Sequence, residues 1–272
     1  MKSSYYKYFA ALLLFGSNGI VASNINLPSY EIVLLRLLLG SLFLITVFTV
    51  SRQRFTFYRN KHTCLYLFIS ASAMGASWML LYEAYQQVGI SIASLAYYCG
   101  PVIVMILSPF LFRETLTWPK IAGFLTVLAG MCLVNLQALD EGKTIWGLFC
   151  GLMSAFMYAL MVTANKKAKP ESGLENSLLQ LVIGSFIVVA FVSMQKNFVL
   201  SLTTIDWIPV LLLGLLNTGI GCYLYFSSIT DLPVQTVAIC GYLEPLSAVV
   251  FSVLFLHEVL LPLQMLGAVL IL

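Results

Sequence analysis

Two glutamates, one arginine and a set of aromatic rings stand inside stretches of this sequence that are otherwise apolar, and these are the side chains able to do chemistry. Glu83 lies among the aromatics of Trp78–Gln87, Glu244 lies directly before Pro245, and Arg36 follows Glu31 by five residues. An ionised group in lipid is costly unless it faces protein, a wet cavity or a counter-charge, and a carboxylate so placed can also hold a proton. Glu83 reads either as a proton-carrying or cation-binding group, or as a residue near the outer end of its helix that reaches water. Glu244 reads as a group for a substrate amine or a proton, or as a link between helices; Pro245 beside it removes a helix N–H and frees carbonyls. Arg36 reads as a ligand for a substrate carboxylate, or as a partner of Glu31 or a side chain snorkelling to the interface.

Trp78, Tyr82 and Tyr85 recur at i, i+4 and i+7 and form one aromatic stripe. Tyr97 and Tyr98 stand about one turn before Pro101, and Tyr223, Tyr225 and Tyr242 lie in the matching part of the second half. Together such rings can cage an ammonium group by cation–π attraction, although packing or an interfacial belt explains any one of them. Asn18 with Ser17, and Asn217 with Thr218, are polar groups suited to hydrogen bonds between helices, and Asn18 is also kept as a binding candidate. The substrate-binding set is therefore Glu83, Glu244, Trp78, Tyr82, Tyr97, Tyr98, Tyr223, Tyr242, Asn18 and Arg36. No catalytic set appears. The two histidines, His62 and His257, lie at junctions without metal-ligand spacing, and there is no HExxH and no phosphate loop, so no enzyme, metal or cofactor is expected. The six cysteines fall in or at the ends of apolar stretches with no CxxC pair, and read as small packing residues.

The elements that position these groups are set by lipid. The 272 residues are 60% hydrophobic and 9% charged, against roughly 25% charged in soluble domains. Ten apolar segments, approximately 7–24, 30–50, 64–86, 90–112, 119–137, 145–165, 175–194, 206–229, 233–256 and 260–272, separate at polar or turn-forming junctions. About 20 residues cross a hydrocarbon core as a helix, and the absence of alternation favours helices over a barrel. The first segment reads as a transmembrane helix rather than a cleaved signal. The last is short, which implies a helix cut short at residue 272 or a re-entrant segment. With the N-terminus cytoplasmic, the inner junctions hold 11 Lys and Arg and the outer ones two, Lys143 and Lys196. The net charge of +3 bears on this orientation, not on nucleic acid.

The sequence also repeats. An offset of 144 sets Gly75 on Gly219, Tyr98 on Tyr242, Pro101 on Pro245, Ser108 on Ser252, Glu114 on Glu258 and Gly123 on Gly267 without a gap. The same offset sets Arg36 on Gln180 and Gly100 on Glu244, so the halves differ at their charges. Five helices per unit is odd, so the second copy enters the membrane from the opposite side, the inverted architecture in which a substrate site lies near the midplane. Residues 1–139 and 140–272 are the expected units. Glu114 and Glu258, each following a long apolar helix, read as caps for the N–H groups that open the next helix. Gly147, Gly151, Ala155 and Ala159 form a smooth face for close helix packing, with a homodimer contact as an alternative use.

These features resemble the EamA-type members of the drug/metabolite transporter superfamily: two five-helix repeats, each with a Pro-containing helix, a glutamate at its exit and a glycine-bearing last helix, over Tyr98–Gly123 and Tyr242–Gly267, with Glu31–Gly40 similar to the family's arginine-bearing second helix. The resemblance implies an all-α, ten-helix membrane protein performing secondary-active transport without ATP. The expected function is alternating-access transport of small polar metabolites, amino acids or amine-bearing compounds, in the cell (inner or plasma) membrane, as monomer or homodimer. Proton coupling through Glu83 or Glu244 is a hypothesis that the carboxylates raise. An exporter of multiple cationic compounds is the alternative within transport; an intramembrane enzyme or a non-transporting receptor are readings from other classes.

Overall fold

A computed structural model of the chain describes residues 2–135, 145–194, 207–256 and 262–271, and all regular structure among them is helical. In chain order these are α1 (Lys2–Gly16), α2 (Asn18–Ser23), α3 (Ser29–Val50), a 3₁₀ turn (Phe57–Arg59), α4 (Lys61–Tyr97), α5 (Cys99–Phe112), α6 (Trp118–Asn135), α7 (Ile145–Ala168) and α8 (Gly173–Ser193). Then follow α9 (Trp207–Leu211), a π-helix (Leu212–Ile220), α10 (Gly221–Ser228), α11 (Val234–Cys240), α12 (Leu243–Leu256) and α13 (Pro262–Ile271). Among the described residues, seven stretches are long and apolar enough to cross a membrane: Tyr30–Val50, Lys61–Gly89, Ile92–Phe112, Ile145–Ala168, Gly173–Ser193, Trp207–Ser228 and Val234–Phe255. The other three expected spans, carried by α1 with α2, α6 and α13, are helical where described but are not among those seven.

Each break in a helix has a local cause. Gly89 interrupts α4 with φ 78°, a left-handed conformation that favours glycine; the repeat offset places Pro233 at the corresponding junction of the second half. Pro101 and Pro245 each fall in the first turn of a new helix, α5 and α12, where the missing N–H would be unpaired anyway. The preceding helix passes into the new one through a short turn, at Tyr98 in one half and at Gly241–Tyr242 in the other, with Tyr98 and Gly241 still in the α region.

Residues related by the repeat meet each other, as residues beside a two-fold axis do. Tyr242 Oη donates to the carbonyl of Tyr98 at 2.8 Å, and the hydroxyls of Ser41 and Ser185 lie 3.0 Å apart; both pairs are separated by 144 residues. Helix contacts come in matching couples as well. α4 packs on α8 as α3 packs on the π-helix, and α7 packs on α4 and α5 as α1 packs on α10 and α12. The Gly147–Ala159 face is consumed in this packing: a Cβ on Gly151 would meet Ala96 Cβ at 2.8 Å. That face is internal, so it supplies no homodimer contact.

One end of the bundle collects the basic junctions. Ser4 donates to Asp231, the Lys166 ammonium donates to the carbonyls of Ile229, Thr230 and Leu232, and Ser172 donates to Gln53. Glu175 accepts from Thr56 and from the Phe57 N–H. Glu114 also lies here, and its role differs from expectation. Its oxygens accept from the N–H groups of Val234 (2.7 Å) and Gln235 (3.0 Å), opening α11 rather than the helix that follows it in sequence. The carboxylate caps a helix of the other half because the two-fold arrangement, not chain order, decides which free N–H groups are near. Lys120 and Ser108 complete this junction through Gln235, at 2.6 and 2.9 Å. Glu258, His257, Lys143, Lys196 and the 139/140 boundary lie outside the described residues.

The seam between halves is backbone against backbone. A Cβ on Gly75 would stand 2.9 Å from Gly184 O and 3.0 Å from Ile187 Cβ, whereas one on Gly19 would meet nothing within 4 Å. Gly75→Val is expected to lower the stability of the detergent-solubilised protein by about 1–3 kcal/mol, and Gly19→Val to leave it nearly unchanged. Thermal unfolding midpoints of the two variants check this, and equal midpoints would contradict the seam.

Candidate functional site

The candidate site forms where the interrupted helices converge. Arg36 comes from the second turn of α3, and it does not pair with Glu31. Its Nε donates to Thr218 Oγ1 at 2.8 Å, and its guanidinium lies 4.7 Å from the centre of the Trp78 ring. Thr218 is available because the π-helix places its hydroxyl on the carbonyl of Leu213, five residues back, at 2.8 Å, which leaves a lone pair for the arginine. The terminal nitrogens of Arg36 bond no described residue, and Ser72 Oγ is the one buried side-chain polar atom without a partner among the described residues. Those nitrogens therefore open onto accessible space.

Glu244 is the second residue of α12, where unpaired N–H groups and the helix dipole favour a negative charge. It is surrounded by protein yet keeps part of its surface accessible, and Arg36 is the charge that acts on it. Its carboxylate also bonds no described residue. α1 approaches closely at Gly16, where a Cβ would collide with Ser247 and stand 2.9 Å from Glu244 O. Opposite charges from different halves thus act on one another without a direct ion pair among the described residues.

A belt of tyrosines lies around Glu244. Ring centres run from Tyr8 to Tyr225 (5.6 Å), from Tyr158 to Tyr97 (5.5 Å), from Tyr97 to Tyr98 (5.8 Å) and from Tyr98 to Tyr242 (6.4 Å), and the hydroxyls of Tyr158 and Tyr225 lie 3.3 Å apart. Tyr8, Tyr85, Tyr97, Tyr98 and Tyr158 all lie within electrostatic reach of Glu244. Tyr82 stacks edge-on against Tyr85 at 5.3 Å, which brings the Trp78–Tyr85 stripe onto the same side. Tyr8 and Tyr158 are not among the sequence candidates, because they sit in spans with no intramembrane carboxylate. The one available signal was an aromatic hydroxyl far from either helix end.

Three candidates fall elsewhere. Glu83 accepts from Gln87 (3.1 Å) and from the indole of Trp146 (3.3 Å), itself half exposed, toward the end of α4 remote from the basic junctions. Glu83 and Glu244 thus lie in different surroundings. Tyr223 faces the Lys7 ammonium, 5.8 Å from its ring centre. Asn18 accepts from Asn217 at 3.0 Å; that amide also donates to Leu14 O and Ser17 Oγ, filling the α1–α2 break. Among the described residues no group of His, Cys, Asp and Glu could hold a metal.

Comparison with known proteins places this geometry in context. An uncharacterized transporter of Bacillus subtilis (strain 168), YxxF, is 27% identical over 256 residues, covering 92% of this chain and 80% of its own. The threonine/homoserine exporter RhtA of Escherichia coli (strain K12) is 27% identical over 234 residues, covering 86% and 76%. A solved crystal structure superposes with a TM-score of 0.83 at 17% identity, covering 99% of this chain and 94% of its own, which supports the fold. The EamA-like transporter family model matches residues 3–136 and again 145–272. The chain is therefore a multi-pass membrane transporter, not an enzyme, and it belongs to the EamA-like transporter family.

Proposed function

We propose that this protein is a secondary-active transporter of amino acids and related amine-bearing metabolites in the cell membrane. In this reading the ten apolar segments are ten spans in two inverted repeats, residues 1–139 and 140–272, with the basic end and the N-terminus cytoplasmic. The observation that carries the substrate class is the unpaired juxtaposition of Arg36 and Glu244 within a tyrosine belt. A zwitterion satisfies both charges at once: its carboxylate takes the free guanidinium nitrogens, and its ammonium takes Glu244 against aromatic faces. Similarity to a threonine/homoserine exporter supports amino acids as cargo and outward movement as the direction. Rocking of the halves about the Tyr98–Tyr242 contact exposes the site to either side in turn. Glu244, rather than Glu83, carries the coupling proton, because Glu83 already has neutral donors near one end of its helix.

Counterflow in reconstituted liposomes tests the two charges separately. Arg36→Gln is expected to weaken threonine uptake roughly tenfold to a hundredfold while sparing the corresponding amine that lacks the carboxylate. Equal loss for both compounds would overturn the carboxylate role, and wild-type preference for bulky hydrophobic cations would favour the multidrug reading.

Coupling is tested under an imposed pH gradient. Glu244→Gln is expected to abolish the response of net uptake to the gradient, and Glu83→Gln to retain it. The reverse pattern would move the proton to Glu83, and a normal response in both variants would exclude either carboxylate as carrier.

A further inference from the structure

A polar cavity lies at the basic end, between the start of α4 and the end of α7, with neither Arg36 nor Glu244 in its lining. It has a volume of about 330 Å³, and its lining includes Lys167, Lys169, His62, Asn60, Thr63 and Glu171. Its lysines are placed to hold an anion: Glu175, also in the wall, accepts from Thr56 and Phe57, Glu171 is exposed to water, and neither lysine pairs with a carboxylate among the described residues. The Lys167 ammonium stands 5.9 Å from the centre of the Tyr66 ring. Lys169 adopts φ 48° directly before Pro170, a backbone conformation costly for a side-chain-bearing residue and disfavoured before proline. Around the cavity, Arg52, Arg54, Arg59 and Lys61 add positive charge from the neighbouring loop and helix start.

The surface beside the cavity identifies the ligand further. Leu65 and Phe68, one and two turns along α4 from His62, are 57% and 56% exposed, and Tyr58 is 63% exposed. A pocket with two lysines at the start of a helix apolar enough to cross a membrane, flanked by exposed apolar side chains, matches a molecule with an anionic head and hydrocarbon tails. We propose that this cavity binds the headgroup phosphate of an anionic phospholipid. The two lysines hold the phosphate, Thr63 and His62 donate to its oxygens, and the acyl chains lie along the Leu65–Phe68 face of α4.

Native mass spectrometry of the full-length protein in neutral detergent, titrated with phosphatidylglycerol or phosphatidylcholine, tests this. Wild type is expected to retain phosphatidylglycerol selectively, and the K167Q/K169Q pair to lose about thirtyfold of that preference. The K167R/K169R pair should keep it, and the same-charge control R52Q/R54Q should keep most of it. Equal retention of both lipids by wild type, or an equal loss in the control pair, would overturn the proposal. Stabilisation by inorganic phosphate through the same lysines without any lipid preference would assign the cavity to a soluble phosphate and overturn the lipid assignment. If the glutamine pair does not fold, lipid selectivity in wild type and its retention in the arginine pair decide the question.

Discussion

Arg36 is a permanent positive charge set among apolar helices, and much of the architecture around it keeps that arrangement tolerable. Desolvating a guanidinium costs several kcal/mol unless it gains partners or water. Three features supply them. The π-helix turns Thr218 toward Nε, Trp78 covers the cationic face, and the remaining nitrogens open onto accessible space. Gly40, four residues after Arg36, makes the first of these possible: a Cβ there would stand 3.0 Å from Thr218 Cγ2 and 3.2 Å from Gly214 O, so the bare backbone lets α3 reach the π-helix.

The same positions in the other half show how a repeated fold yields an unrepeated site. Where Arg36 would recur the chain has Gln180, fully buried and hydrogen-bonded to Ser70 and Asn176. Where Glu244 would recur it has Gly100, against which Tyr158 packs so tightly that a Cβ would stand 2.7 Å from the ring. One half therefore supplies the cation and closes the space where an anion would stand, while the other supplies the anion and satisfies its polar residue internally. In the proposed mechanism the symmetric parts, the paired breaks and the Tyr98–Tyr242 contact, serve the rocking motion, and the asymmetric parts meet the substrate.

How much of this is legible in the sequence follows from the range of each interaction. Apolar segment limits, the breaks at Gly89 and near Pro101 and Pro245, and the gathering of basic junctions depend on local composition, and the chain reveals them directly. The distinctness of residue 244 is also legible in the sequence, since the repeat isolates it as a difference between halves. Partners across the two-fold do not emerge. Glu114 has a plausible helix start four residues ahead, yet it caps α11, about 120 residues away. Glu83 and Glu244 look alike as intramembrane carboxylates, and only packing separates the one beside Trp146 from the one facing Arg36. Tyr8 and Tyr158 carry no periodic or charged signature, because their significance comes from the rings of other helices.

The central claim is that one zwitterion spans the gap between the two halves' charges. A structure of the reconstituted protein with threonine bound tests it most directly. The carboxylate is expected within hydrogen-bonding distance of the Arg36 terminal nitrogens and the ammonium on Glu244, bordered by Tyr97 and Tyr98. An amino acid bound instead beside Glu83 and Trp146, with Arg36 and Glu244 untouched, would contradict it.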